Sequence, residues 1–389
     1  MIAYLDHAAT TPMHPEAVEA MLPFLFHRFG NPSGSHAVAR EARKAVDEAR
    51  DVVAECLGAR PGEIVFTAGG TEADNLAVAG RHRVRPGTVV CSAVEHHAVL
   101  HACTALAGLV APVEPSGIVD LDALASLLGP DVTLVSVMLA NNEVGTVQPL
   151  AEVARVVRQL APDALVHTDA VQAFPWLDVA ALAAPADLVA VSAHKFGGPK
   201  GVGALVVREG VEIAPILHGG GQERDRRSGT HNVAGIVGMA AAMQATVAER
   251  AATVRRVADL RDRLVDGLLA AVPDSAETGD RSAKVAGNAH LSFAGVESEA
   301  LLVLLDGAGV CASAGSACTS GAMEASHVLV AMGIERQRAL GSLRLSLGPT
   351  TSDTDVDRAL AAVPAAVARL RATGPSGPLS GVPYPAPTG

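Results

Sequence analysis

Residues 36–57, "HAVAREARKAVDEARDVVAECL", set apolar side chains three and four positions apart with charges between them. That spacing predicts an amphipathic helix. Beyond it one unit recurs: a short apolar run, a small polar cluster, then a helical stretch. The runs are "EIVFTAGGTE" (63–72), "TVVCSAVEHH" (88–97), "VTLVSVMLANNE" (132–143), "ALVHTDAVQ" (164–172) and "DLVAVSAHK" (187–195), and "GVGALVV" (201–207) adds a further strand. Strand alternating with helix predicts an α/β fold with a mostly parallel sheet flanked by helices. The runs are almost continuously apolar, as strands are when helices cover both faces of a sheet.

From about residue 210 the pattern changes. An Ala- and Arg-rich helical region spans roughly 231–271, followed by "NAHLSFAG" (288–295), a helix near 297–308, "VCASAGSACTSG" (310–321) and "GSLRLSLG" (341–348). This reads as a second, smaller α+β domain. The expected division is a large domain over 12–255 and a small domain made of 1–11 and 256–371. The tail 372–389 is rich in Pro, Gly and Ser and is expected to be disordered.

Bulk properties narrow the function classes. The chain has 389 residues, 49% hydrophobic and 18% charged, which suits a well-buried enzyme. A net charge of -11 argues against a nucleic-acid binder, which needs a basic face. No apolar stretch is long enough to span a bilayer, and "MIAYLDHAAT" lacks a basic leader, so the cytoplasm is the expected compartment. The five cysteines include no CxxC pair, which disfavours a disulfide framework or a zinc knuckle. The histidines lack metal-ligand spacing, so no metal site is expected.

The chemistry gathers where the apolar runs end, which is where open α/β sheets bind ligands. Of 30 Lys+Arg only four are lysines, and Lys195 sits in "SAHK" at one such end. A desolvated lysine amine can lose its proton and attack a carbonyl, which arginine does poorly. "TAGGTEADNLA" passes from strand to helix through Gly69, Gly70 and Thr71, which makes a phosphate cradle; taken alone it reads as an ordinary helix capped by Thr71 with Asp74 three residues on. Asp169 in "HTDAVQ" suits a protonated ring nitrogen, or a simple turn. His96 in "EHHAV" offers a ring to stack on a planar ligand. "ANNEVG" contributes amides, and Ser192 and His194 add a hydroxyl and an imidazole. Together these fit pyridoxal 5'-phosphate, whose aldehyde bonds to lysine. A nicotinamide fits worse, because no G-x-G-x-x-G opens a helix after the first strand. Cys318, in the small-residue stretch "ASAGSACTSG", is a candidate nucleophile or an incidental thiol. Arg344, between Ser342 and Ser346 on one face of a strand, is a carboxylate clamp or a solvated charge.

With "YLDHAATTP", "FGNPSGSH", "HGGGQERDRRSGT", "SAGSACTSG" and "SLRLSLG" added, the chain resembles the cysteine desulfurases of the NifS/IscS type, fold-type-I pyridoxal-phosphate enzymes, over about residues 1–350. The resemblance implies a role for each matching residue. Lys195 would bind the cofactor aldehyde, and Gly70, Thr71, Ser192 and His194 would hold its phosphate. Thr230 would reach that phosphate from the partner subunit of a homodimer. His96 would stack on the ring and share in catalysis, Asp169 would pair with its nitrogen, and Asn142 and Gln172 would bond its oxygen side. Arg344, with Asn31 and Asn142, would bind L-cysteine, and Cys318 would take the sulfur and pass it to an acceptor protein in iron–sulfur assembly or thiolation. No match to a scaffold-docking C-terminal segment is evident. The rival readings are a selenocysteine lyase or another cysteine-eliminating enzyme on the same fold, a non-catalytic sulfur relay, and a histidine-rich metal hydrolase.

Overall fold

The computed structural model describes residues 2–314 and 325–373. Cys318 and most of the expected tail, residues 374–389, lie outside the described residues. Twelve strands are present among the described residues: β1 (Ala3–Tyr4), β2 (Ile64–Thr67), β3 (Thr88–Ser92), β4 (Leu109–Ala111), β5 (Val132–Ser136), β6 (Leu165–Asp169), β7 (Leu188–Ser192), β8 (Gly203–Val207), β9 (Ser275–Glu277), β10 (Asn288–Phe293), β11 (Val310–Cys311) and β12 (Ser342–Ser346). Seven form one sheet in the order β2-β8-β7-β6-β5-β3-β4. Strands β3 to β7 pair in parallel, and β8 runs antiparallel to both β2 and β7. The mostly parallel α/β sheet expected from the apolar runs is therefore present. The edge strand β4 carries too short an apolar run to be read from sequence.

Every residue of β2, β5, β7 and β8 is buried, as the unbroken apolar runs require. Helices α1 (Pro15–Phe26), α2 (Ala37–Cys56), α3 (Gly70–Val84) and α4 (His97–Ala105) follow in chain order. The amphipathic stretch at 36–57 becomes α2, whose Ala39, Ala42, Val46, Ala49 and Val53 face inward.

The Ala/Arg-rich region is one 39-residue helix, Val233–Ala271. Its first half packs Ile236, Met239 and Met243 into the apolar cluster around the large sheet. Its second half packs Val257, Leu264 and Leu268 into a separate cluster with the β10 and β12 side chains Leu291, Phe293, Leu343 and Leu345. Trp176 touches both clusters.

A three-stranded antiparallel sheet, β12-β10-β9, faces the second cluster. The N-terminus joins it: β1 pairs with β11, and the Ser346 N–H bonds to the Leu5 carbonyl. This pairing carries the segment from Asp6 to Thr10 across the carboxyl ends of the large sheet, beside Lys195 and Arg344.

Candidate active site

The cradle forms at the β2–α3 turn. Gly69 sits at φ 154°, a region that favours glycine. Gly70 is the first residue of α3, and a Cβ there would come within 2.8 Å of Val171 Cγ2. A Cβ here would force the Val171 side chain, just past the end of β6, to shift. The helix start leaves backbone N–H groups without intrahelical partners. Thr71 is exposed on that first turn and does not cap it. The cap position is Gly69, and Glu72 accepts the Ala68 N–H through Oε2 at 2.8 Å. Asp74, read from sequence as part of a cap, is instead buried inside the sheet-facing side of α3.

Asp169 closes β6 with 4% exposure, and its Oδ1 accepts the Val171 N–H at 2.9 Å. Burial pushes its carboxyl up to about 6, against the Val171 N–H and the Lys195 charge, which hold it down. His96 is the N-cap of α4, its Nδ1 accepting the Ala98 N–H at 3.2 Å. Burial and then the Lys195 charge pull its pKa down to about 4. The ring is neutral at pH 7, and an accepting Nδ1 puts its proton on Nε2.

Lys195 lies in the short turn after β7 and donates to the Ala8 and Ala9 carbonyls at 2.6 and 2.9 Å. Burial and the neighbouring Arg344 charge lower its pKa to about 8, with Asp169 and Asp6 opposing. An ordinary amine is thereby brought close to a nucleophile at neutral pH. Gln172 Nε2 donates to the same Ala8 carbonyl at 2.7 Å, and His194 Nδ1 lies 3.2 Å from Thr10 Oγ1.

Arg344 is 7% exposed on β12, so the solvated-charge reading does not hold. Its Nη1 donates to the Asn142 carbonyl at 2.9 Å and its Nη2 to Asp6 Oδ1 at 2.8 Å. Its Nε is buried without a partner among the described residues. A guanidinium fixed on two sides with a donor to spare is pre-organised for a carboxylate.

One cavity of about 360 Å³ is lined by Gly70, Thr71, His96, Asn142, Asp169, Gln172, Ser192, His194, Lys195 and Arg344. These come from five strand ends of the large sheet and from β12 of the small one. A second space continues past Gly70, Thr71, Ser192 and His194 to Lys200. Two expected residues stand elsewhere. Asn31 is exposed, its Oδ1 accepting the Ser33 N–H, and Thr230 is exposed on its loop; neither lines the cavity. The sequence reading also missed Asp74 and the Ala8 and Ala9 carbonyls. Alanines carry no chemical signal, and Asp74 was hidden by its likeness to a capping residue.

The donor set fits pyridoxal phosphate. A glycine-lined helix start suits its phosphate, a buried carboxylate suits its ring nitrogen, a neutral imidazole suits its face, and an amine of lowered pKa suits its aldehyde.

The comparisons agree with the geometry. Residues 3–359 match the model of the family described as aminotransferase class-V. The chain is 49% identical to an IscS-like cysteine desulfurase of Mycobacterium tuberculosis, covering 95% of this chain and 97% of the relative. It is 44% identical to the cysteine desulfurase IscS of Methanosarcina thermophila, covering 96% and 94%. A solved structure titled NifS-like protein superposes with a TM-score of 0.89 at 36% identity, covering 95% of this chain and all of that one. The chain therefore belongs to the class-V aminotransferase family and, within it, to the cysteine desulfurases of the IscS and NifS type.

Proposed function

We propose that this protein converts L-cysteine to L-alanine with pyridoxal phosphate bound at Lys195, and takes the sulfur as a persulfide on Cys318. The observation that carries the reading is the cavity that brings Lys195, Asp169, His96 and Arg344 together. When bound, pyridoxal phosphate supplies an electron-withdrawing ring that stabilises negative charge at the substrate Cα. Arg344 binds the substrate carboxylate and fixes which substrate bond faces Lys195. Lys195 Nζ, close to neutral at its lowered pKa, takes the Cα proton. Asp169 would hold a negative charge for the ring nitrogen, and the neutral His96 imidazole would lie against the ring.

Cys318 attacks the substrate sulfur as a thiolate. A sulfur–sulfur bond forms, the substrate Cβ–S bond breaks, and the carbon product leaves as alanine once protonated. The described chain reaches the Cys318 segment beside the cavity on one side: Ser313 pairs with Arg344, and their backbones exchange hydrogen bonds at 2.8 and 3.1 Å. It returns beside Glu143, whose Oε2 accepts from Ser326 Oγ at 2.5 Å. One flank is thus tied to the cavity residue Arg344 and the other to Glu143, the chain neighbour of the cavity residue Asn142, which supports a role for Cys318 there.

The persulfide then passes to an acceptor protein, for iron–sulfur assembly or thiolation. The protein works as a homodimer in the cytoplasm, with Thr230 and Asn31 completing the site of the other subunit. In support, α1 exposes Val18, Leu22, Leu25 and Phe26, with Phe29 just beyond it, and Thr230 stands away from its own cavity. Among the described residues, no helix is long and apolar enough to cross a membrane. The test is Cys318→Ser with L-cysteine as substrate. Alanine formation should vanish while the yellow cofactor band remains, and mass spectrometry of the wild-type protein should find the added sulfur on Cys318. Wild-type alanine production by Cys318→Ser would sink the assignment.

A further inference from the structure

Behind Asp169 lies a second carboxyl that the reaction does not use. Asp74, on α3, is 1% exposed, lines the same cavity and stands with Asp169 and His96 in one group. A ligand atom of each of the three lies within 4.8 Å of the other two. Among the described residues Asp74 Oδ1 has no hydrogen-bond partner; His167 Nε2, also without one among them, is 3.6 Å away. His167 is fully buried, its Nδ1 is engaged by Ser136 Oγ at 2.8 Å, and burial pulls its pKa down to about 3. It supplies no positive charge.

Two buried carboxylates this close, facing a neutral imidazole, cannot both stay ionised. Their surroundings differ and decide which one keeps the charge. Asp169 has the Val171 N–H and the field of Lys195 to stabilise an anion. Asp74 has neither, and burial, Asp169 and Glu95 all push its carboxyl upward.

We propose that Asp74 is a protonated carboxylic acid that shares the ring-nitrogen pocket with Asp169 and, by staying neutral, keeps the pair at a single negative charge centred on Asp169. Asp74 is thus a positioning residue: it sets where the charge lies without carrying any. The proposal rests on the reading of Asp169 as partner of the ring nitrogen. A pair at a single charge matches one protonated ring nitrogen, whereas a dianion would leave a buried charge unpaired.

The test is isotope-edited infrared spectroscopy of the full-length protein cleared of cofactor, with and without carboxyl-labelled aspartate, at neutral pH. The label moves only aspartate carbonyl bands, so buried glutamic acids do not interfere. The expected result is a protonated aspartic-acid band that disappears in D74N and persists in D169N. Absence of the band from the wild type overturns the proposal, and so does a band lost in D169N but kept in D74N. If D74N fails to fold, Asp74→Glu takes its place: the labelled aspartic-acid band should vanish there as well, and its persistence overturns the proposal. The ring-nitrogen reading is tested separately by the dissociation constant for pyridoxal phosphate. D169N should weaken binding by about tenfold or more, a cost of ~1.4 kcal/mol. Unchanged binding would remove that reading and leave the infrared result standing.

Discussion

Lys195 owes its chemistry to burial and to a neighbour that sequence spacing does not connect to it. Burial and Arg344, 149 positions further along the numbering of the same chain, bring its amine down to about 8. The attachment rate of pyridoxal phosphate to the cofactor-free protein should therefore rise with pH through one step near 8, measurable by stopped-flow absorbance. Arg344→Gln removes the nearby positive charge and should move that step upward; a step that stays in place would show that Arg344 does not act on the amine. The same shift bears on stability. The folded chain holds fewer protons at Lys195 than the unfolded chain between about pH 8 and 10.4, so this group's contribution rises with pH across that window. In the sequence, Lys195 was visible as a rare lysine at a strand end. Its two acceptors were not, because the Ala8 and Ala9 carbonyls belong to a segment brought in by β1–β11 pairing.

The turn around residues 221–231 shows how an element is held in an unfavourable shape. Glu223, Arg224 and Asp225 all adopt positive φ, at 50°, 57° and 63°. Such backbone costs roughly 1–2 kcal/mol per residue outside glycine. Glu223 holds it: Oε1 and Oε2 take two bonds from Arg50 at 2.6 and 2.9 Å, one from the Phe66 N–H at 3.0 Å, and one with His231 at 2.6 Å. Arg227 ties the same turn to Glu72 on the first turn of α3. Burial alone would raise the Glu223 pKa, but the bonds from His231 and Arg50 outweigh it and leave it at about 2. Breaking a buried pair costs about 3–5 kcal/mol, so Glu223→Gln should lower the urea midpoint clearly at neutral pH. Because the folded pKa is depressed, this stabilisation exists above the unfolded value of about 4.3 and fades as pH falls toward 2. The two proteins should converge in acid. An equal gap at neutral and acid pH would mean that Glu223 acts by shape alone.

At the scale of the whole molecule, one long helix runs through two cores and one apolar face remains open. Phe26 is 68% and Phe29 77% exposed, beside Leu22 and Leu25. An apolar surface of this kind marks an interface. Light scattering should report a dimer. Phe26→Asp should shift it to monomer and weaken pyridoxal-phosphate binding at the same time, because Thr230 would no longer reach a partner's site. A monomeric Phe26→Asp protein that binds cofactor as the wild type does would refute the shared-site reading.

The sequence by itself determined the α/β class, the strand ends and most of the residues that line the cavity. Period-two and period-3.6 patterns are local, and polar side chains of the cavity stand out against their surroundings: Lys195 among arginines, Asp169 after an apolar run. Tertiary structure alone decided that Arg344 is buried beside Asp6, that Ala8 and Ala9 hold the lysine, that β8 runs antiparallel, and that Asp74 faces Asp169 rather than capping a helix. Those facts depend on contacts between segments far apart in the chain. A carboxylate's protonation depends on what surrounds it in space, and no run of neighbouring letters records that.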